Sequence, residues 1–344
     1  MKYYYLVLLA GVVGLGVWIA SCGRAPQTET GQAQGSDPAV PMHCQLIRAG
    51  EIEAIVGDGS GLRTRPGLWT MSSIKHHFSI FKNMSSGMLT GEFRGKADTK
   101  LEYVDDSTSV LKREPTDDYP VKATMVIRAR SPYYLDTELT IRDAIDLSTD
   151  KNLLGENPFL GDERQVSYNC YVNSPDDTRI HFLSGGQWER FIPSVHSGPG
   201  SSIAPAYLND SELEVWPESD DPRFHWYQRY EKRFDRPFYY GRFGKMVLIL
   251  VFDKPRWLRF YISPTGAGAS LIPGQQSPAW DFEWLIPRKD YRPNQDYLFR
   301  TCLVYKQFES DEDVIREVDK VQRDLGYETA KYYGIELAPR RSGQ

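Results

Sequence analysis

Residues 245–252 read Lys-Met-Val-Leu-Ile-Leu-Val-Phe, seven apolar residues in a row behind one lysine. The run is too short for a typical helix, and Val, Ile and Phe favour strands. Side chains alternate between the two faces of a strand, so an unbroken apolar run means that both faces are buried. This segment is therefore expected to be a central strand with a layer on each side. Asp253-Lys254-Pro255 follows and reads as a turn to a paired strand over 257–262.

Working outward, the same period of two recurs. In 122–130, Ala123, Met125 and Ile127 alternate with Lys122, Thr124 and Arg128; in 137–145, Leu139 and Ile141 alternate with Glu138, Thr140 and Arg142. Residues 297–308 alternate too, with Leu298, Thr301, Leu303 and Tyr305 among them. Strands at this spacing, broken by Pro, Gly and Asp, predict an all-β fold, a large β-sandwich, rather than βαβ units. One helix is expected near the end, over about 310–326, packed on the sandwich. Ser310 is its N-cap with Asp313 three residues on; Val314, Ile315, Val318, Val321 and Leu325 follow at helical spacing, and Gly326 ends it.

The chain of 344 residues carries 41 Lys+Arg against 46 Asp+Glu, a formal charge of −5. That slight acidity gives no broad attraction to nucleic acid. The ordinary share of apolar and charged residues excludes disorder of the whole chain.

The first residues say where the protein works. Lys2 precedes an apolar run over 3–20, which ends Ile19-Ala20-Ser21-Cys22-Gly23. A basic start, an apolar stretch and small residues before a cut site make a secretory signal. Cysteine directly after Ile-Ala-Ser resembles a bacterial lipobox. The resemblance implies cleavage after Ser21, lipid on the Cys22 sulfur and a membrane lipid partner, in the cell envelope on the extracytoplasmic side. Residues 23–41 hold no aromatic side chain and read as a polar tether. Residues 42–344 are left as a single sandwich domain. Of its three cysteines, Cys44, Cys170 and Cys302, two can pair outside the cytoplasm, or all three can be buried thiols.

There is no P-loop, dinucleotide glycine motif, HExxH, GxSxG or EF-hand loop, and no Cys/His spacing suited to zinc. No cofactor or metal is expected. Two stretches carry candidate chemistry. In Trp280-Asp281-Phe282-Glu283-Trp284, alternation puts three rings on one face and two carboxylates on the other. The rings would seat the strand on the core; the acids would serve as acid and base, or simply face solvent. In Phe238-Tyr239-Tyr240-Gly241-Arg242, Tyr239, Tyr240 and Arg242 are candidates to bind a substrate such as a glycan, by stacking and hydrogen bonding. Among six histidines, His77 and His196 are candidate proton carriers.

The stretches 238–242, 246–253, 259–266 and 278–287 together resemble an uncharacterised family of bacterial exported lipoproteins. Their order is similar to the galactose mutarotase-like β-supersandwich. That resemblance implies carbohydrate binding or processing, with a Glu base and a His acid, and makes Glu283 with His196 or His77 the candidate pair beside Asp281. The alternative class is a non-catalytic envelope protein that holds a partner.

The lipobox reading has a direct test. Cys22→Ser is expected to abolish incorporation of a fatty-acid probe in cells; undiminished label in the variant would refute it.

Overall fold

A computed structural model describes residues 43–60, 65–81, 87–93, 99–147, 163–193, 201–208, 229–264 and 277–327. Cys22, the apolar start, the tether and His196 lie outside the described residues.

Among the described residues, seventeen strands form two antiparallel sheets. One sheet has eight strands, in spatial order β1 (Cys44–Ala49), β2 (Ile52–Asp58), β3 (Pro66–Ser73), β4 (Met88–Thr90), β9 (Glu163–Cys170), β16 (Ala279–Pro287), β15 (Leu258–Ser263) and β12 (Ser202–Ile203). The other has nine: β11 (Gln187–Phe191), β10 (Ile180–Ser184), β13 (Phe238–Phe243), β14 (Met246–Phe252), β17 (Tyr297–Gln307), β8 (Tyr134–Asp143), β7 (Val121–Arg130), β6 (Thr108–Arg113) and β5 (Lys100–Asp105). The sheets pack face to face, and one helix, α1 (Asp311–Asp324), covers the outer face of the nine-stranded sheet.

The apolar run behaves as its composition demands. All seven residues of β14 are buried. Leu248, Leu250 and Phe252 point into the core between the sheets, while Val247, Ile249 and Val251 point outward under the helix. The turn after it differs from expectation. β13 and β17 already occupy both edges of β14, so β15 cannot pair with it. Lys254, at φ 49°, and a 3-10 turn over Pro255–Trp257 instead carry the chain across to the other sheet, where β15 pairs with β16.

β16 faces β14 across the core. Trp280, Phe282 and Trp284 are fully buried there, with the Phe282 and Phe252 ring centroids 4.6 Å apart. The Trp280 indole donates to the Thr178 carbonyl at 2.9 Å. Its ring also explains Gly241 opposite: a Cβ there would stand 2.0 Å from the indole, so no other residue fits without a shift. Gly244, at φ 60°, makes the turn between β13 and β14.

Charge is also buried between the sheets. Arg164 has no exposed surface and joins Glu92 at 2.7 Å, on the eight-stranded side, to Asp143 at 2.7 Å, at the end of β8 in the other sheet. The Tyr291 hydroxyl donates to the same Asp143 at 2.7 Å. Removing one partner of such a buried group leaves an uncompensated charge.

The helix is held by more than its apolar stripe of Val314, Val318 and Val321. The Ser310 hydroxyl caps it, accepting from the Asp313 N–H at 3.2 Å. Lys306 of β17 donates to Asp313 at 2.9 Å and to Glu317 at 3.4 Å. The Tyr133 and Tyr134 hydroxyls also donate to Glu317. Gly326, at φ 59°, stands just past the end as expected. Cys170 and Cys302 are free and buried while Cys44 is disulfide-bonded, so neither a pair among these three nor three buried thiols holds.

Trp280→Ala should cost about 3–5 kcal/mol, because the cavity adds to the lost transfer energy. Urea unfolding of the variant measures it; a change under about 1 kcal/mol would show that the ring is not a core element.

Candidate functional site

The outer face of the eight-stranded sheet is built by register. Asp281 of β16 lies opposite Tyr261 of β15, and Tyr261 lies opposite Ser202 of β12. On the other side, Phe282 pairs with Tyr168, which places Asn169 beside Asp281. One residue pair along, Glu283 lies between Arg259 and Ser167. The odd-numbered side chains of β16 therefore meet a polar face: Gln165, Ser167 and Asn169 from β9, Arg259 and Tyr261 from β15, and Ser202 from β12. Tyr171, opposite Ala279, extends that face. Tyr171 and Tyr261 are half-buried.

Alternation sorts the rings from the acids as the sequence implies, but the acids are not solvated. Asp281 is 6% exposed and Glu283 is 4%. Asp281 Oδ1 accepts the Cys170 backbone N–H at 2.7 Å, and Oδ2 accepts the Asn169 amide at 2.8 Å. Glu283 Oε1 accepts the Arg259 Nε–H at 2.6 Å, and Oε2 accepts the Gln165 amide. Arg259 itself is fully buried. Each of the four carboxylate oxygens thus has a donor. Burial, with the Asp281 charge beside it, pushes the Cys170 thiol well above its ordinary pKa and keeps it protonated.

The buried polar atoms on this face that lack a hydrogen-bond partner include Asn169 Oδ1 and Ser202 Oγ. The Asn169 amide is oriented by chemistry, since a carboxylate only accepts and Nδ2 must face Asp281. Ser202 is fully buried. Buried polar groups are nearly always satisfied, so these atoms are exceptions on the face; by register Asn169 and Ser202 stand three strands apart, about 14 Å.

The other candidates fall elsewhere. Tyr239 is fully buried in the core and donates its hydroxyl to the Trp280 carbonyl at 2.5 Å, so it offers no face to a substrate. Tyr240 and Arg242 point to the opposite outside of the sandwich, on the nine-stranded sheet. There the Tyr240 hydroxyl donates to Asp311 at 2.6 Å, at the start of α1. The Arg242 guanidinium lies over the Phe308 ring at 3.7 Å. The full thickness of the core separates them from Asp281 and Glu283, and the expectation that the two sets share one substrate is wrong on geometry. His77 is exposed on the turn beyond β3. It is three strands from β16, about 14 Å across the sheet, and nothing brings it to the acids.

Sequence reading missed Asn169, Ser202, Arg259, Gln165 and Tyr261. The β9 sequence Glu-Arg-Gln-Val-Ser-Tyr-Asn-Cys held a usable signal: Gln165, Ser167 and Asn169 alternate with Val166, Tyr168 and Cys170. His181 was missed too. Its ring stacks on Tyr240 with centroids 4.6 Å apart, and burial, with Arg190 nearby, lowers its pKa to about 4. It is neutral at pH 7 and belongs to the Tyr240 cluster, away from the acids.

No protein-family model matches the chain, and no curated protein matches it. Among solved structures, a GalM/aldose epimerase homologue from C. elegans aligns with a TM-score of 0.42 and 8% identity, over 77% of this chain and 100% of that one. Heparan sulfate lyase HepC from Pedobacter heparinus aligns with a TM-score of 0.44 and 8% identity, over 80% of this chain. The alignment spans 38% of the lyase.

Among the described residues no group of three or more His, Cys, Asp or Glu stands ready to hold a metal ion. Glu283→Gln is expected to destabilise the fold by about 3–5 kcal/mol, because the buried Arg259 loses its carboxylate. Replacing both, as Glu283→Leu with Arg259→Met, should recover most of that loss. Denaturant unfolding of the single and double variants decides; a neutral single variant would refute the pair as a fold element.

Proposed function

We propose that this is a lipid-anchored protein of the bacterial cell envelope that binds carbohydrate on the outer face of the eight-stranded sheet. The carrying observation is a polar face on which Asn169 Oδ1 and Ser202 Oγ, three strands apart, lack hydrogen-bond partners. Asn169 Oδ1 is an acceptor and Ser202 Oγ is a hydroxyl, and a sugar hydroxyl both donates and accepts. The half-buried Tyr171 and Tyr261 rings lie on the same face and suit the C–H faces of a sugar ring.

Binding fits this geometry better than proton transfer. All four oxygens of Asp281 and Glu283 take hydrogen bonds from within the chain, so neither carboxylate is left to carry a proton to a substrate. Their service is to aim Asn169, Gln165 and Arg259. A processing role would need a titratable partner close by, and among the described residues no histidine shares this face.

Anchoring rests on the Ile19-Ala20-Ser21-Cys22 sequence, and the polar composition of 23–41 suits a spacer between a membrane and the domain.

Glycan-array screening followed by calorimetry tests the reading. Ser202→Ala breaks no hydrogen bond within the chain, so its melting temperature should match the parent. It should weaken the best glycan by about threefold to tenfold, the loss of one hydrogen bond. No glycan bound by the parent, or equal binding by the variant, would point to the alternative, a protein that holds another protein.

A further inference from the structure

The Tyr240 cluster, on the outside of the nine-stranded sheet, plays no part in that polar face. Register builds it: Arg190 of β11 lies opposite His181 of β10, and His181 lies opposite Tyr240 of β13. His181 stacks on Tyr240 with ring centroids 4.6 Å apart, and Phe308 stacks on Tyr240 at 6.2 Å. Trp188 stands at 83° to the Tyr240 ring, 5.4 Å away, so the rings form a corner. Tyr240 is buried, whereas His181, Trp188 and Phe308 keep part of their surface exposed.

Guanidinium groups gather round this corner. Arg242 lies two residues along β13 from Tyr240, over the Phe308 ring at 3.7 Å. A guanidinium has five N–H donors; among the described residues Arg242 uses one, from Nη2 to the Gly244 carbonyl at 3.1 Å, and its Nε is buried without a partner. Arg179 and Arg190 are exposed and share one carboxylate, Asp177, to which Arg179 Nε–H donates at 2.9 Å. The other acids here are engaged: Asp311 accepts the Tyr240 hydroxyl at 2.6 Å, and Asp176 accepts the Gly244 N–H at 2.7 Å. Two guanidinium groups thus share one carboxylate and a third has none, so donors outnumber acceptors. Burial, then the Arg190 charge, keeps His181 neutral at pH 7, and the imidazole presents a ring rather than a charge. Burial and Asp311 raise the Tyr240 pKa while Arg242 and Arg190 both oppose the rise, so the two arginines act on one ring from different strands.

We propose that this corner is a second ligand site, which takes a sugar ring bearing a carboxylate: the ring lies against Trp188 and His181, and the carboxylate accepts from Arg242 and Arg190. Arginine suits the task because its planar fork matches a carboxylate and gives the stronger, charge-assisted hydrogen bonds. Buried N–H donors are nearly always paired, so an arginine with no carboxylate and an idle Nε is held here by the ring beneath it and keeps its Nη edge for an incoming acceptor. The partly exposed rings supply the apolar wall that a site of this kind needs beside its few polar groups. Tyr240 and Arg242, which share no substrate with the acids of β16, have their place here. The core lies between the two faces, so either site can fail alone.

The test uses the full chain and two probes of equal length, tri-galacturonate and tri-galactose, with binding followed by calorimetry. The parent should bind the acidic trisaccharide about tenfold more tightly than the neutral one, and added salt should weaken that binding. Arg242→Gln should weaken tri-galacturonate by about tenfold, the loss of a hydrogen bond between charged groups. Arg190→Gln should weaken it by about threefold, because an exposed charge contributes less. Neither arginine is buried, so both variants should melt as the parent does. Ser202→Ala, on the other face, should bind tri-galacturonate like the parent. No binding of tri-galacturonate by the parent, equal affinity for the two trisaccharides, or full binding by Arg242→Gln would overturn the proposal and leave the eight-stranded face untouched. Binding lost in Ser202→Ala but kept in Arg242→Gln would overturn it by moving the acidic sugar to that face.

Discussion

The contact between Phe282 and Phe252, 4.6 Å between ring centroids, fixes the relation of the two sheets. Tyr168 stacks on Phe282 at 4.8 Å and Phe260 lies 5.5 Å from Phe252, so four strands from both sheets converge on one aromatic cluster. Because side chains alternate, seating Phe282 inward forces Asp281 and Glu283 outward. A slip of one residue in β16 would reverse this and bury two carboxylates among the rings. The polar face is therefore a by-product of core packing as much as a feature in its own right, and its position follows from the aromatic register.

The sequence announced this part of the architecture and was silent on another. Alternation in 280–284, the apolar run of β14 and the cap at Ser310 are local patterns, and local patterns survive into the fold. The partner of a strand is not local. Nothing near Arg259 says that it will lie opposite Glu283, and nothing near Lys254 says that the chain leaves one sheet for the other. Tyr240 and Arg242 were grouped with the acids on composition, yet one alternation step sets Tyr240 apart from Tyr239, and the sheet containing both lies across the core from the acids. Candidate residues of the right chemistry were thus legible, while their grouping depended on pairings that no short stretch encodes.

Buried charge is used for alignment. Arg164 bridges Glu92 and Asp143 from opposite sheets, and Arg259 ties Glu283 to the neighbouring strand. Such pairs add little net stability over apolar packing, but they penalise every arrangement that separates them. That selectivity suits a sandwich whose aromatic core would tolerate several packings.

The pairing of β9 with β16 has a consequence in time. Gln165 and Glu283 are 118 residues apart in the chain, yet they meet side by side. Strands β1 to β4 and β9 precede most of the nine-stranded sheet, so they are made long before β16 can close against them. Until then the edge of β9 lacks its native partner. Closing a loop of that length is slow relative to forming hairpins such as β7–β8. The polar face, which needs β9, β16, β15 and β12 together, is accordingly among the last surfaces to exist, and a chain halted before β16 would expose that edge to any other strand it met.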